Sequence, residues 1–242
     1  MTSGCAALRP ATAPLRTVDL ARGAAAGEGR CLAVLLPGRF NDPERFRDAG
    51  FAAAVADRGL ALDLVAVDAH LGYYRARSIV ERLRADVIAP AQAAGYDTIW
   101  IVGPSLGGLG GLLYLREHPE DLAGVLAIAP YLGEPEVIDE IGRAGGPAAW
   151  RPPAEIADGD VGRELWSWLG PWASAPTSVP LHLGWGTADS FDRSNRLLAD
   201  LLPPERVYTL PGGHDWHVWE QLWEAFLDRT PAAELCGARA PG

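Results

Sequence analysis

Residues 98–108 read TIWIVGPSLGG, and this stretch decides the fold. Its first part, residues 98–102, is a short apolar run typical of a buried strand, and a helix is predicted to begin at Leu106. Between them lies a five-residue segment, residues 103–107, with Ser105 at its centre and glycine at both ends. A sharp turn from strand to helix forces the serine outward and brings backbone segments together, so only glycine fits at the flanking positions. The segment therefore predicts an exposed nucleophilic serine at the carboxyl end of a strand.

The same glycines also fit a purely structural interpretation. Gly107, Gly108, Gly110 and Gly111 would let a helix pack closely on a sheet without any chemistry at Ser105. The two interpretations differ in whether a base and a carboxylate accompany the serine.

Strands and helices alternate on both sides of this turn. Apolar runs bounded by turn residues predict strands at 31–36, 60–67, 98–102, 122–129, 179–185 and 206–210. Helices are predicted at 43–58, 78–94, 106–117, 193–202 and 216–229. This rhythm predicts an α/β fold with a mostly parallel central sheet and helices on both faces.

The length of 242 residues fits a single domain, 1–242, and no internal repeats are visible. Residues 131–178 interrupt the alternation, are rich in Pro, Gly and Trp, and predict a small cap insertion over the sheet. Residues 1–29 and 231–242 carry weak signals, so we expect a weakly structured N-terminal region and a flexible tail.

Composition excludes several classes of function. The formal net charge of −10 repels phosphate backbones, so nucleic acid is not an expected partner. All 21 basic residues are arginine, which removes the Walker A phosphate loop, Schiff-base enzymes and the Ser-Lys dyad. No apolar run is long enough to predict a transmembrane segment. No GxGxxG follows a predicted strand, which argues against a dinucleotide-dependent dehydrogenase.

A nucleophilic serine needs a base, and the chain has five histidines. His214 follows the predicted strand 206–210 through Pro211-Gly212-Gly213, at the carboxyl edge where open α/β sheets place their sites. It is the best candidate, with His217 as the alternative, whereas His182 lies inside a predicted strand and is expected in the core. His214 and His217 could also pair on a metal, but no third ligand is evident, so no metal or cofactor is expected.

The base in turn needs a carboxylate that orients its imidazole. Asp189 follows the predicted strand 179–185 directly and should reach the same edge of the sheet as Ser105 and His214. Asp192 is the alternative, although it is also well placed to cap the helix that follows.

The order Ser105, Asp189, His214 is the chain order of the α/β-hydrolase triad. From residues 31 to 229 the sequence resembles the α/β-hydrolase superfamily, and within it the small bacterial carboxylesterases. The backbone N–H of Leu106, directly after the nucleophile, can bind the oxyanion. The resemblance implies that the N–H of Arg39 is the second donor, although Pro37-Gly38 replaces the His-Gly with which that loop usually begins. The Arg39 side chain is expected either to steer an anionic substrate group or to pair with Asp42 or Glu44.

Aromatic residues near the predicted site indicate the substrate. Tyr73, Tyr74, Trp166 and Trp216 are expected to line an apolar pocket, unless such side chains serve only to bury the cap. The sequence thus predicts a serine carboxylester hydrolase for small to medium, mainly uncharged small-molecule esters, acting through an acyl-enzyme. The alternatives are a thioesterase, lactonase, peptidase or acyltransferase on the same triad, or a binding protein that has lost turnover.

The three cysteines are Cys5, Cys31 and Cys236, and their spacing indicates neither a disulfide framework nor a zinc site. Thr2-Ser3-Gly4-Cys5 looks like the end of a bacterial lipoprotein signal, so a lipid anchor through Cys5 is expected if the natural gene begins upstream. The sequence as given predicts a cytoplasmic location, with a lipoprotein of the bacterial envelope as the alternative. It does not indicate an oligomeric state.

Overall fold

The centre of the molecule is a seven-stranded sheet, seen in a computed structural model that describes residues 9–21, 30–175 and 179–236. The strands, in chain order, are β1 Thr17–Ala21, β2 Arg30–Leu35, β3 Leu62–Val67, β4 Tyr96–Pro104, β5 Gly124–Ile128, β6 Leu181–Gly186 and β7 Val207–Leu210. Their order across the sheet is β1-β3-β2-β4-β5-β6-β7, and only β1 runs antiparallel to its neighbour. The prediction of a mostly parallel sheet is therefore confirmed.

Helices cover both faces of this sheet, which explains why β3, β5 and β6 are buried along their whole length. In β4, the Ile101 side chain faces α6 (Leu106–Glu117), lying 3.2 Å from where a Cβ on Gly111 would be. Trp100, its neighbour, points to the opposite face. There its ring centroid lies 5.3 Å from that of Phe226 in α10 (Trp216–Arg229).

Two predicted helices are interrupted in the structure. The helix expected at 43–58 is divided into α1 (Arg45–Asp48) and α2 (Phe51–Asp57), because Gly50 between them has a left-handed backbone with φ of 72°. The helix expected at 78–94 consists of α4 (Ile79–Leu83) and α5 (Ala89–Ala93), joined by a π-helical stretch, Arg84–Ile88. Pro90 lacks an N–H and crowds the carbonyl four residues earlier, which accounts for the widened turn.

The remaining helices connect the strands or build the insertion. They are α3 Leu71–Arg75, α7 Pro135–Arg143, α8 Val161–Ser174, α9 Asp192–Ala199 and α11 Ala232–Cys236. In the insertion, α8 begins with residues 161–169, which form a short amphipathic segment in the sequence, whereas α7 was not predicted. Its signal is the spacing of Val137, Ile138 and Ile141, all buried on one side of the helix. No helix among the described residues is long and apolar enough to cross a membrane.

The two ends of the described chain are more ordered than the sequence suggests. β1 lies in the N-terminal region and pairs with β3 at the edge of the sheet. At the other end, α11 joins β2 through a disulfide between Cys236 and Cys31, whose Cα atoms are 5.2 Å apart. The expectation that the cysteines form no disulfide is thus wrong, because folding brings together residues 205 positions apart in sequence. Cys5, the expected anchor site, lies outside the described residues.

Candidate active site

Ser105 occupies a strained turn between β4 and α6, as its sequence context predicts. Its backbone has φ of 54° and ψ of −115°, a conformation that non-glycine residues rarely adopt. The Ser105 N–H donates to the Ile128 carbonyl at 2.8 Å, which ties the turn to the end of β5. Ser105 is 9% exposed and lies at the carboxyl edge of the sheet. The turn therefore stores strain at a serine that lines a cleft, although the residue is largely buried and not exposed as the sequence predicts.

The two flanking glycines are required by close backbone approaches. A Cβ on Gly107 would lie 1.9 Å from the Leu36 carbonyl oxygen, and a Cβ on Gly103 would lie 2.4 Å from the Gly107 carbonyl carbon. No real Cβ tolerates such distances, so the turn can form only with glycine at both positions. The same contact places the end of β2 directly against the turn that carries Ser105.

Asp189 and His214 are hydrogen-bonded at this same edge. Nδ1 of His214 lies 2.8 Å from Oδ2 of Asp189 and 3.0 Å from Oδ1. The two residues follow β6 and β7, and their loops are joined by a hydrogen bond of 2.8 Å from the Ala188 N–H to the Gly212 carbonyl. An imidazole whose Nδ1–H donates to a carboxylate keeps Nε2 free to accept a proton. The pair thus has the arrangement of a general base and its orienting acid.

The Asp189 carboxylate is itself held in place. Its side chain is fully buried, and Oδ1 also accepts a hydrogen bond of 2.7 Å from the Phe191 N–H. Three polar contacts thus fall on two oxygens, so the carboxylate has little freedom to rotate.

Aromatic rings hold the His214 imidazole. The Phe191 ring centroid lies 4.8 Å from that of His214, and the Trp219 centroid lies 5.0 Å from it, both edge to face. The sequence analysis did not single out Phe191, whereas Trp219 was expected, with Trp216, to flank the turn that carries His214. The available signal for Phe191 was its spacing, because Phe191 follows Asp189 by two residues, and Trp219 lies one helical turn into α10.

The alternative residues have other partners. Asp192 accepts a hydrogen bond of 2.8 Å from the Trp185 indole, and its ion pair with Arg196 lowers the pKa of the Asp192 carboxyl. His217 is exposed and contacts Gln221. His182 lies in the core as expected, where burial lowers its pKa to about 4.

Two backbone N–H groups lie next to Ser105. Leu106 is the first residue of α6, so its N–H points out of the helix end that carries the positive partial charge. On the other side, a Cβ on Gly38 would lie 3.6 Å from Cβ of Ser105, which brings the Gly38-Arg39 peptide against the nucleophile. Neither the Arg39 nor the Leu106 N–H donates to a backbone carbonyl of the described chain. The arrangement offers two donors to an oxyanion formed at Ser105.

A cleft of about 850 Å³ opens at Ser105 between α6, the loop after β2 and the insertion. Apolar lining comes from Leu71, Leu109, Val137 and Phe191, among others. Seven lining residues are charged: Arg39, Arg75, Arg77, Glu134, Glu136, Asp160 and Arg163. The lining is therefore more polar than the aromatic pocket that we expected from the sequence.

Of the four aromatic residues expected to line the pocket, only Tyr74 does so. Tyr73 is buried and its hydroxyl donates to the Thr12 carbonyl at 2.9 Å. Trp166 is buried within the insertion, and Trp216 packs against the Phe46 ring at 5.2 Å. These three side chains pack within the protein instead. Tyr73 and Tyr74 separate because adjacent residues on a helix point in different directions.

The only group of candidate metal ligands in the described part of the chain lies away from this cleft. His118, Glu120 and Asp121 come together just beyond the last residue of α6, whereas Ser105 precedes its first. Asp121 already accepts hydrogen bonds from Tyr114 and Arg84, so the cluster carries no argument for a metal site.

Comparison with known proteins identifies the fold. No protein-family model matches the chain, and a search of curated proteins finds no match. Among solved structures, S-formylglutathione hydrolase (FrmB) from Staphylococcus aureus aligns with a TM-score of 0.63 and 14% identity, over 84% of this chain and 82% of that one. Est1E from Butyrivibrio proteoclasticus, solved with ferulic acid bound, aligns with a TM-score of 0.59 and 15% identity, over 88% and 94%.

A third similar structure is the enterobactin esterase FES from Shigella flexneri, with a TM-score of 0.57 and 18% identity over 91% of this chain and 60% of that one. Esterases and other serine hydrolases thus share the topology described above. The chain has the α/β-hydrolase fold, as the order of its motifs predicts.

Proposed function

We propose that this α/β-hydrolase-fold protein is a serine hydrolase that cleaves carboxylic esters, with Ser105 as nucleophile, His214 as base and Asp189 as orienting acid. The observation that carries the proposal is the hydrogen bond from His214 Nδ1 to the buried Asp189 carboxylate, at the sheet edge that also bears the strained Ser105. Three segments far apart in sequence converge there, each within four residues of the end of a strand. The parallel sheet brings the segments together, but it does not by itself require a hydrogen-bonded histidine–carboxylate pair and a strained serine at that edge.

In the proposed reaction, His214 Nε2 takes the Ser105 proton as Oγ attacks the ester carbonyl. The Asp189 carboxylate stabilises the imidazolium, which then gives its proton to the departing alcohol. Water then attacks the acyl-enzyme with His214 as base, and the imidazolium returns the proton to Ser105 as the carboxylic acid leaves. Ser105 Oγ makes no side-chain hydrogen bond to a described residue, so we expect its hydroxyl to turn towards Nε2 when substrate is bound.

The tetrahedral intermediate carries a negative charge on the former carbonyl oxygen. We assign its stabilisation to the N–H groups of Leu106 and Arg39, the first aided by the dipole of α6. Each such donor contributes about 100- to 1,000-fold to kcat in enzymes of this kind. The protein needs no cofactor for this chemistry.

Thioesters belong in the same test, since one structurally similar protein is described as an S-formylglutathione hydrolase. An oxyester, a thioester and an amide with the same acyl group separate the esterase from the thioesterase and peptidase alternatives. We expect the oxyester to have the highest kcat/KM relative to its spontaneous hydrolysis.

The first experiment is labelling with a fluorophosphonate, followed by intact mass and peptide mapping. We expect one adduct, on Ser105, that is lost in Ser105→Ala and in His214→Ala but retained in His217→Ala. Folded protein that takes up no label and hydrolyses no ester of the panel would overturn the proposal. Ligand binding unchanged by Ser105→Ala would then favour a binding protein.

A further inference from the structure

Arg39 lies at the tip of a tight turn beside the nucleophile. The turn runs from Gly38 to Asn41 and is closed by a hydrogen bond of 3.1 Å from the Asn41 N–H to the Gly38 carbonyl. Its two central residues are Arg39 and Phe40, and Arg39 lines the cleft together with Ser105. Arg39 thus has a backbone N–H beside the nucleophile and a positive charge close enough to the cleft to act on Tyr131, another lining residue.

The Arg39 guanidinium has no ion-pair partner in the described part of the chain. The two carboxylates that follow it in sequence are used elsewhere, because Glu44 pairs with Arg16 at 2.8 Å and the cation nearest to Asp42 is Arg9 at 4.0 Å. The interpretation of Arg39 as a local salt-bridge residue, which the sequence left open, is thus not supported by the geometry.

Other arginines of the cleft are already engaged by the protein. Arg77 pairs with Asp158 and Glu164, and Arg163 pairs with Glu140 and Asp160, so these two charges are balanced by the protein. Arg75 also has an interaction within the protein. Arg39 differs from them because its positive charge is left for a group that enters the cleft.

Phe40 holds this guanidinium without neutralising it. Cζ of Arg39 lies 4.5 Å from the Phe40 ring centroid, a cation–π geometry. Phe40 has φ of 67°, in the left-handed region that turns usually give to glycine, and its side chain is 53% exposed. Both features are unfavourable for a phenylalanine. They are explained if the ring is a platform that orients Arg39.

Two exposed carboxylates in the lining limit where an anion can bind. Glu134 and Glu136 lie at the start of α7, and Glu134 accepts a hydrogen bond of 2.8 Å from the Tyr131 hydroxyl. Burial and this carboxylate raise the pKa of Tyr131, and the positive charge of Arg39 acts against that rise. An anionic substrate group is therefore better placed beside Arg39 than beside these two glutamates.

We infer that Arg39 is a specificity residue that binds a carboxylate carried by the ester substrate a few bonds from the scissile carbonyl. The inference rests on the proposed function and replaces the mainly uncharged substrate expected from the sequence. A planar guanidinium matches a carboxylate in a two-point hydrogen-bonded contact. Since the N–H of the same residue binds the oxyanion, the carboxylate and the reacting carbonyl lie within one side-chain length of each other.

The test compares esters that differ only in this charge. On the acyl side the pair is the nitrophenyl monoester of glutaric acid and its primary amide, and on the alcohol side it is butyryl glycolate and butyryl glycolamide. For each pair the ratio of kcat/KM for the carboxylate to that for the amide is measured after subtracting spontaneous hydrolysis. Both substrates of a pair meet the same protein preparation, so partial misfolding of a variant cancels in the ratio.

We expect a ratio of at least about tenfold in one pair for the wild-type chain, which is the scale of one charge-assisted contact. Arg39→Gln should bring this ratio close to one, and Arg39→Lys should keep part of it. Arg151→Gln is the matched control, because Arg151 is exposed, lies outside the cleft lining and contacts only backbone oxygens. Its ratio should equal that of the wild type.

Two kinds of failure are distinguishable. If the wild-type protein hydrolyses the esters with ratios near or below one in both pairs, or if Arg39→Gln leaves the preference unchanged, the role of Arg39 is overturned while the hydrolase proposal stands. If no ester is hydrolysed and Ser105 takes up no fluorophosphonate, the proposed function fails and the specificity inference falls with it.

Discussion

Asp189→Asn replaces one carboxylate oxygen with an NH₂ group at the centre of the proposed triad and keeps the shape of the side chain. The asparagine amide can be placed in two ways, and the structure decides between them. The Phe191 N–H donates to Oδ1 at 2.7 Å, so the carbonyl oxygen of the amide must remain there. The NH₂ group then takes the position of Oδ2, 2.8 Å from His214 Nδ1. At the shorter contact a donor then faces a donor, so Nδ1 either gives up its proton or keeps only the longer contact of 3.0 Å to Oδ1, which the Phe191 N–H already occupies.

The consequence of losing the Nδ1 proton is a change of tautomer. An imidazole that accepts at Nδ1 carries its proton on Nε2 and is unable to take the proton of Ser105. In triads of this type, the wrong tautomer lowers kcat by up to about 10,000-fold, or about 5 kcal/mol at 1.36 kcal/mol for each factor of ten. For this protein we expect a fall of about 1,000- to 10,000-fold in kcat with little change in KM.

The assay is steady-state hydrolysis of a nitrophenyl ester, together with the rate of fluorophosphonate labelling and a thermal unfolding curve for each variant. Asp192→Asn is the matched control, because Asp192 contacts Trp185 and Arg196 instead of His214, and its kcat should stay within about threefold of the wild type. If Asp189→Asn keeps more than a tenth of the wild-type activity, or if Asp192→Asn loses it instead, the tautomer argument is refuted.

Three further predictions concern the stability of the fold around the site. Gly107→Ala should abolish labelling of Ser105 and lower the free energy of unfolding by at least about 2 kcal/mol, since its Cβ would lie 1.9 Å from the Leu36 carbonyl oxygen. Gly170→Ala, whose Cβ meets nothing closer than 3.7 Å, should stay within about 1 kcal/mol in denaturant titrations. Burial lowers the pKa of His182 from 6.5 to about 4, so the unfolded chain binds the extra proton. The free energy of unfolding should therefore fall by about 3 kcal/mol as the pH drops from 6.5 to 4, and His182→Phe should flatten this fall. Cys236→Ser should lower the free energy of unfolding by about 2–5 kcal/mol, because it removes the disulfide to Cys31. Counting free thiols in the denatured wild-type chain checks the disulfide itself. A free thiol at Cys236 under non-reducing conditions would contradict it.

Much of the fold was readable because parallel strands buried on both faces are continuous apolar runs. β3, β5 and β6 are of this kind, and each was predicted within a few residues. β1 was missed because it lies at the sheet edge and shows no such run, with a burial that alternates irregularly along its five residues. The disulfide was missed for another reason, since a contact between positions 205 apart is created by the whole topology and leaves no local pattern.

The proposed triad could be predicted from the sequence, whereas the residues that line the pocket could not, and the reason is physical. In a parallel sheet, every strand delivers its carboxyl end to one edge, so a residue directly after a strand is placed by secondary structure alone. Ser105 is of this type, and Asp189 and His214 lie three and four residues beyond the ends of β6 and β7. A pocket wall depends instead on which way each side chain turns, and the neighbours Tyr73 and Tyr74 separate into core and cleft for that reason.

The charge of the cleft depends on ion pairs between residues that are far apart in sequence. The two carboxylates that follow Arg39 in sequence face arginines from the segment before β1, since Glu44 pairs with Arg16 and Asp42 lies 4.0 Å from Arg9. No local sequence rule assigns those partners. If Arg16→Gln releases Glu44 to pair with Arg39, the preference for a carboxylate substrate should fall although residue 39 is unchanged. Such an effect would show that Arg16 and Arg39 compete for Glu44, and that this competition sets the substrate preference of the cleft.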